Sequence, residues 1–146
     1  MPALRAAGHQ PVALVRRPPR SADEIEWDPA AGKLAPGALD GADAVVHLAG
    51  AGIGDRRWTD DYKRELLDSR TLSTALLADS IARSANGPRV LLSGSAIGYY
   101  GPRGDETLDE TSPAGSDFLA DICRQWEDAC QPAREAGVRV VNLRTG

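Results

Sequence analysis

The segment Ser93-Gly-Ser95-Ala-Ile-Gly-Tyr99-Tyr100-Gly101 sets two hydroxyls and two phenols directly after the apolar run Val90 to Leu92. A hydroxyl cluster at the end of a core strand can hydrogen-bond the carbonyl or hydroxyl of a reacting carbon. A tyrosine beside a cation can act as an acid or a base. Ser95, Tyr99 and Tyr100 are therefore the candidate catalytic residues, and Ser93, at the strand end, is a candidate cofactor contact. The competing reading is a Ser/Gly turn in which one tyrosine packs on a neighbour.

A second segment, Val45-Val46-His47-Leu48-Ala49-Gly50-Ala51-Gly52-Ile53-Gly54, reads as a strand followed by a glycine-rich loop. Its spacing is G-x-G-x-G, with Asp55 where the third glycine of a dinucleotide fingerprint would fall, so it does not match that fingerprint. A loop at the carboxyl edge of a later strand fits better, because small residues there let backbone approach a flat ring or a ribose closely. Leu48, Ala49 and Gly50 are the candidate cofactor contacts. Glycines serving only a turn remain the alternative, and His47, inside the strand, reads as a packed core histidine.

The third segment is Arg16-Arg17-Pro-Pro-Arg20, just after the apolar run Val12 to Val15. In a nucleotide-binding sheet this position holds an acid for a ribose 2′-hydroxyl, or an arginine where a 2′-phosphate must be accommodated. No acid stands at the strand end, so Arg16 and Arg17 point to NADP rather than NAD. An exposed basic loop is the other possibility. No metal site is read from the sequence.

Apolar runs rich in β-branched residues at Val12 to Val15, Ala44 to Leu48, Val90 to Leu92 and Val138 to Leu143 resemble parallel strands covered on both faces. Between the later ones the spacing predicts a helix from Thr59 to Ser84, capped by Thr59. A second is predicted from Asp117 to Ala136, with Phe118, Ile122, Trp126 and Ala129 or Cys130 as its core stripe and Gly137 as its C-cap. A short strand is expected at Glu24 to Trp27. Helix and strand in alternation give an α/β fold, a doubly wound parallel sheet.

The 146 residues are 42% hydrophobic and 26% charged, enough for one core. A net charge of −4 argues against general nucleic-acid or anionic-membrane binding, leaving a small molecule as the expected partner. Cys123 and Cys130 on one helix would lie about 10 Å apart along its axis, too far for a disulfide, and read as reduced thiols. No run has transmembrane length and no export signal opens the chain, so the cytoplasm is the expected location. The sequence gives no oligomeric state.

At these segments the chain resembles the extended short-chain dehydrogenase/reductase superfamily. More narrowly it is similar to the epimerase-like subgroup labelled nucleoside-diphosphate-sugar epimerases. The matching stretches are ALRAAGHQPVALVRRP, DAVVHLAGAGIGDRRWT, VLLSGSAIGYYGPRGDETLDE, DFLADICRQWE and VVNLRTG. The resemblance implies a Rossmann domain that binds NAD(P), with a smaller substrate domain after it. It implies that Arg16 and Arg17 contact the 2′-phosphate, that Leu48, Ala49 and Gly50 lie beside the ribose, and that Ser95 is the catalytic serine.

It also implies a first strand and a glycine-rich turn ahead of the short helix Pro2 to Ala7. The expectation is accordingly a partial domain, a poor cofactor binder and inactive by itself. One departure stands out: the superfamily's Tyr-x-x-x-Lys falls on Phe118 and Ile122, neither of which can transfer a proton. Two functions follow as expectations, an NADP-dependent oxidoreductase or epimerase acting on a hydroxyl or carbonyl substrate, and a non-catalytic NADP-binding or protein-interaction module.

Overall fold

The computed structural model describes residues 1–146. Its elements in chain order are helix α1 (Pro2–Ala6), strands β1 (Ala13–Val15), β2 (Glu24–Asp28), β3 (Lys33–Leu34) and β4 (Ala44–His47), helix α2 (Asp60–Arg83), strand β5 (Val90–Ala96), helices α3 (Phe118–Asp128) and α4 (Gln131–Glu135), and strand β6 (Arg139–Thr145). A 3₁₀ turn, Ile97–Tyr100, closes β5.

The α/β class is the expected one, with the strands in two three-stranded sheets. β1 pairs parallel with β2, which takes β3 antiparallel; β4, β5 and β6 run parallel, with β5 in the middle. One core joins the two sheets: Trp27 from β2, Leu39, Val45 from β4 and Leu91 from β5 meet Leu77, Ala78 and Ile81 of α2 and Cys130 and Ala133 near α4. Trp27 also stands edge-on to His47, ring centres 6.0 Å apart.

Helix α2 forms where the spacing predicts it. Tyr62, Leu66, Ser73, Thr74, Leu77, Ala78 and Ile81 are buried along one stripe at three- and four-residue intervals. Thr59 Oγ1 caps its start by accepting from the Tyr62 amide at 3.2 Å. Asp117 does the same for α3, its Oδ1 accepting from the Ala120 amide at 2.8 Å.

Two expectations about element bounds need correction. The single helix from Asp117 to Ala136 is broken after Asp128, because Pro132 has no N–H to bond back to that turn and its ring opposes helical continuation. Cys130 sits at the break, and it and Cys123 are buried free thiols. The second correction concerns Ser93 and Ser95, placed by sequence in a loop after a three-residue strand. β5 runs on to Ala96 because β6 pairs with it along its whole length, so both serines are strand residues.

Candidate active site

β5 and β6 carry Ser95 and Arg144 as register partners, and both side chains reach Glu127 on α3. Ser95 Oγ donates to Glu127 Oε1 at 2.6 Å. Arg144 grips the same carboxylate with both arms of its fork, Nε to Oε1 and Nη2 to Oε2, each at 2.8 Å. Burial pushes the Glu127 carboxyl up, but the hydrogen bonds from Arg144 and Ser95 outweigh it and hold the group below the ordinary carboxylate range. The same ion pair raises the Arg144 guanidinium further.

Arg144 then turns to the tyrosines. Its Nη1 donates to Tyr100 Oη at 3.0 Å, and its guanidinium carbon lies 3.5 Å from the centre of the Tyr99 ring. Ser95, Tyr99 and Tyr100, the three catalytic candidates, are thus brought to one network, through two residues that sequence reasoning missed. Glu127 and Arg144 look in sequence like an ordinary helix surface residue and a strand end. No local signal in the chain marked either one.

Cys123 belongs to the same cluster. Its thiol is pushed up by burial, against opposing contributions from the Ala96 backbone, Arg70 and Ser95. Phe118 packs on Trp58 with ring centres 5.5 Å apart, and Lys63 Nζ lies 5.4 Å from its ring centre. Ile122 is buried in a small cluster with Tyr62 and Leu66.

The glycine-rich loop is held from below by α2. Ala51 N donates to Ser69 Oγ at 3.0 Å, and Arg70 Nη2 donates to Ala51 O at 3.0 Å. Tyr62 Oη donates to Gly52 O, and Trp58 Nε1 to Ile53 O at 2.9 Å. Gly50 must be small, since a Cβ there would stand 3.1 Å from the Arg70 guanidinium carbon. Leu48, Ala49 and Gly50 remain exposed at the carboxyl end of β4, with Leu48 66% accessible. Ser93 is different: it is fully buried and its Oγ donates to Gly94 O, so it offers a ligand no surface. His47 is a core residue as expected, 3% exposed and hydrogen-bonded to Ser73 Oγ at 3.0 Å; burial pushes its imidazole down to about 4.

At the carboxyl ends of β1 and β2 an open cleft of about 690 Å³ is lined by Val15, Arg16, Arg17, Glu26, Trp27 and Asp28. The two arginines part here. Arg17 is committed to Glu24, Nη1 to Oε2 at 2.8 Å and Nη2 to Oε1 at 2.7 Å, and the Arg20 amide completes the grip on that carboxylate. The Arg17 hydrogen bonds lower Glu24 to about 2. Arg16 is exposed and pairs with no carboxylate. The absence of an acid, read from the chain after β1, does not hold in space: Val15 is in register with Glu26, so β2 brings Glu26 and Asp28 into the cleft.

The Arg16 turn, the glycine-rich loop and the Ser95–Glu127–Arg144–Tyr100 network thus lie at the carboxyl ends of strands in parallel pairings, the end at which open α/β sheets bind ligands. The model of the NAD dependent epimerase/dehydratase family matches residues 1–146. The chain belongs to this family. It is 44% identical over 144 residues to an epimerase family protein of Mycobacterium bovis, covering 99% of this chain and 47% of that one. To the human epimerase family protein SDR39U1 it is 35% identical over 146 residues, covering 98% and 47%.

Two solved structures are similar. A nucleoside-diphosphate sugar epimerase from Corynebacterium glutamicum superposes with TM-score 0.84 at 44% identity, covering 98% of this chain and 29% of that one. Human SDR39U1 isoform 2 with NADPH superposes with TM-score 0.83 at 31% identity, covering 99% and 48%. The fold is Rossmann-like, and the family is NAD(P)-dependent. The chain spans about half the length of the curated relatives it matches. No helix is long and apolar enough to cross a membrane.

Proposed function

We propose that this chain is the NADP(H)-binding part of an epimerase-family oxidoreductase acting on a hydroxyl or carbonyl carbon of a small substrate of the sugar-nucleotide class. The observation that carries the reading is that Arg16, the pinned loop Leu48 to Gly50, and the Ser95, Tyr99 and Tyr100 network each lie at or just beyond the carboxyl end of a strand in a parallel pairing. A bound nicotinamide dinucleotide supplies hydride chemistry.

The residues present fit that group. Arg16 offers an uncommitted guanidinium to a 2′-phosphate, with Arg17 held by Glu24 as support for the turn. Glu26 and Asp28 stand in the same cleft and, as carboxylates, suit a free ribose 2′-hydroxyl, so the preference for NADP rests on Arg16 against them. Leu48, Ala49 and Gly50 present a fixed backbone to the ribose side. NADP is supported further by the NADPH in the human relative's structure, and the substrate class by the name of the corynebacterial one.

A non-catalytic NADP-binding module is the second reading, favoured by the burial of Ile122 and the packing of Phe118. Titrating the protein with NADPH and with NADH, following nicotinamide fluorescence, tests the cofactor. The expected result is a preference for NADPH that Arg16→Glu removes, with NADH affinity little changed. This ratio does not depend on how tightly the pyrophosphate is held. Equal affinities, or a preference that survives the substitution, overturns the NADP assignment.

A further inference from the structure

The positions that family resemblance gives to a tyrosine and a lysine hold Phe118 and Ile122, so proton chemistry at this site needs another donor. The hydrogen-bond directions around Arg144 show where one is. Arginine carries five N–H donors and no acceptor. The Tyr100 oxygen therefore accepts from Arg144 Nη1 at 3.0 Å, and its own proton has no protein acceptor. On one side of Tyr100 lies a cleft of about 550 Å³, lined also by Ile97, Leu108, Asp109, Glu110 and Asn142. Ser95 is in the opposite state, its proton committed to Glu127.

We infer that Tyr100 is the proton-transferring residue of this site, that Arg144 is the cation that stabilises its phenolate, and that Glu127 is the positioning residue that fixes Arg144 and Ser95 together. The inference rests on the oxidoreductase reading above. With a reduced nicotinamide bound, the reducing direction would place a hydride on the substrate's carbonyl carbon as the new C–H bond. The C=O π pair moves to oxygen, and that oxygen takes the Tyr100 proton. The O–H bonding pair stays on Tyr100 as phenolate, beside a guanidinium that remains protonated throughout.

In the oxidising direction the substrate hydroxyl would return its proton to the phenolate, with an oxidised nicotinamide, when bound, accepting the hydride. Arg144 is held in place for this by the bidentate pair with Glu127. The role that a lysine four residues after a tyrosine fills elsewhere in the superfamily thus falls to an arginine from β6, 44 residues beyond Tyr100.

The test uses covalent labelling, which requires neither substrate nor turnover. A benzenesulfonyl fluoride reacts with tyrosine as phenolate, forming the O–S bond as S–F breaks and fluoride leaves. A cation hydrogen-bonded to the phenol oxygen favours the reactive form. The protein is labelled at neutral pH and its three tyrosines are compared by peptide mass spectrometry. Tyr62, whose hydroxyl donates to Gly52 O and accepts no hydrogen bond from an arginine although the Arg56 guanidinium lies 5.4 Å from its ring centre, is the internal reference.

Tyr100 is expected to label about tenfold faster than Tyr62, with Arg144→Lys retaining most of that advantage and Arg144→Met losing it. Loss of the advantage in Arg144→Met with rescue in Arg144→Lys separates a charge effect from a packing one. Should Arg144→Met fail to fold, Arg144→Gln, which keeps donors for Glu127 and Tyr100 but not the charge, takes its place, and a Tyr100 advantage that survives it overturns the assignment. NADPH and NADH binding measured on the same samples keeps the two claims apart. A protein that binds cofactor but labels Tyr100 no faster than Tyr62, or as fast without the cation, overturns the assignment of Tyr100. A longer protein that carries this chain together with a preceding glycine-rich turn and still binds neither cofactor overturns the oxidoreductase reading instead.

Discussion

Arg144 and Glu127 form a two-point ion pair whose side chains are only 18% and 11% exposed. Breaking one side of a buried pair leaves the other charge without compensation. Glu127→Leu is therefore expected to lower unfolding free energy by about 3 kcal/mol, read from urea denaturation. Glu127→Gln, which keeps an acceptor for Arg144, is expected to lose less. Equal stability of wild type and Glu127→Leu would show that solvent already screens the pair.

His47 gives the pH dependence. Its imidazole is depressed from 6.5 to about 4 by burial, so the folded state resists a proton that the unfolded chain accepts. Stability is full above pH 6.5 and falls as pH drops from 6.5 toward 4, by about 3 kcal/mol at the lower end. His47→Gln keeps a donor for Ser73 and is expected to flatten that slope in thermal or urea melts between pH 6.5 and 4.5. The depressed carboxylates Glu24 and Glu127 act only at lower pH, below the ordinary carboxylate value.

Ser69 accepts the Ala51 amide, one of the bonds that fix the exposed loop. Ser69→Ala is expected to cost about 1 kcal/mol and to speed hydrogen exchange at the Ala51 amide, leaving core amides of β5 unchanged. Unaltered exchange at Ala51 would mean that the bonds from Arg70, Tyr62 and Trp58 hold the loop without Ser69.

Gly115 lies against the turn that carries the tyrosines. A Cβ there would stand 2.7 Å from Tyr100 O and 2.8 Å from the Gly101 backbone, too close for either to yield without moving. Gly115→Ala is expected to destabilise by about 2 kcal/mol and to shift the Tyr99 and Tyr100 ring signals in NMR spectra. Unshifted ring signals would show that the turn adapts without disturbing the site.

Much of the frame was legible along the chain. Thr59 and Asp117 announced their helices because a cap is a local hydrogen bond between residues three apart. The apolar runs announced parallel strands because a covered strand needs nonpolar residues on both faces. The exposed loop Leu48 to Gly50 and the exposed Arg16 were found for the same reason, since each follows its own strand directly. Where neighbours in space decide, the chain is silent: β5 is longer than its apolar run because β6 extends it. The break after Asp128, by contrast, has a local cause in Pro132.

The chain by itself determined the family, the α/β class and the identity of the groups that could do chemistry, since those rest on residue type and local spacing. Only the tertiary structure decided how they are used. It set Arg17 on Glu24 and left Arg16 free, brought Glu26 and Asp28 into a cleft that had seemed to lack acids, buried Ser93, and joined Ser95 to Tyr100 through Glu127 and Arg144. The reason is range. Caps, turns and strand runs are set by contacts within a few residues, whereas which proton a serine gives away and which cation stands beside a tyrosine depend on side chains from strands and helices far apart in sequence.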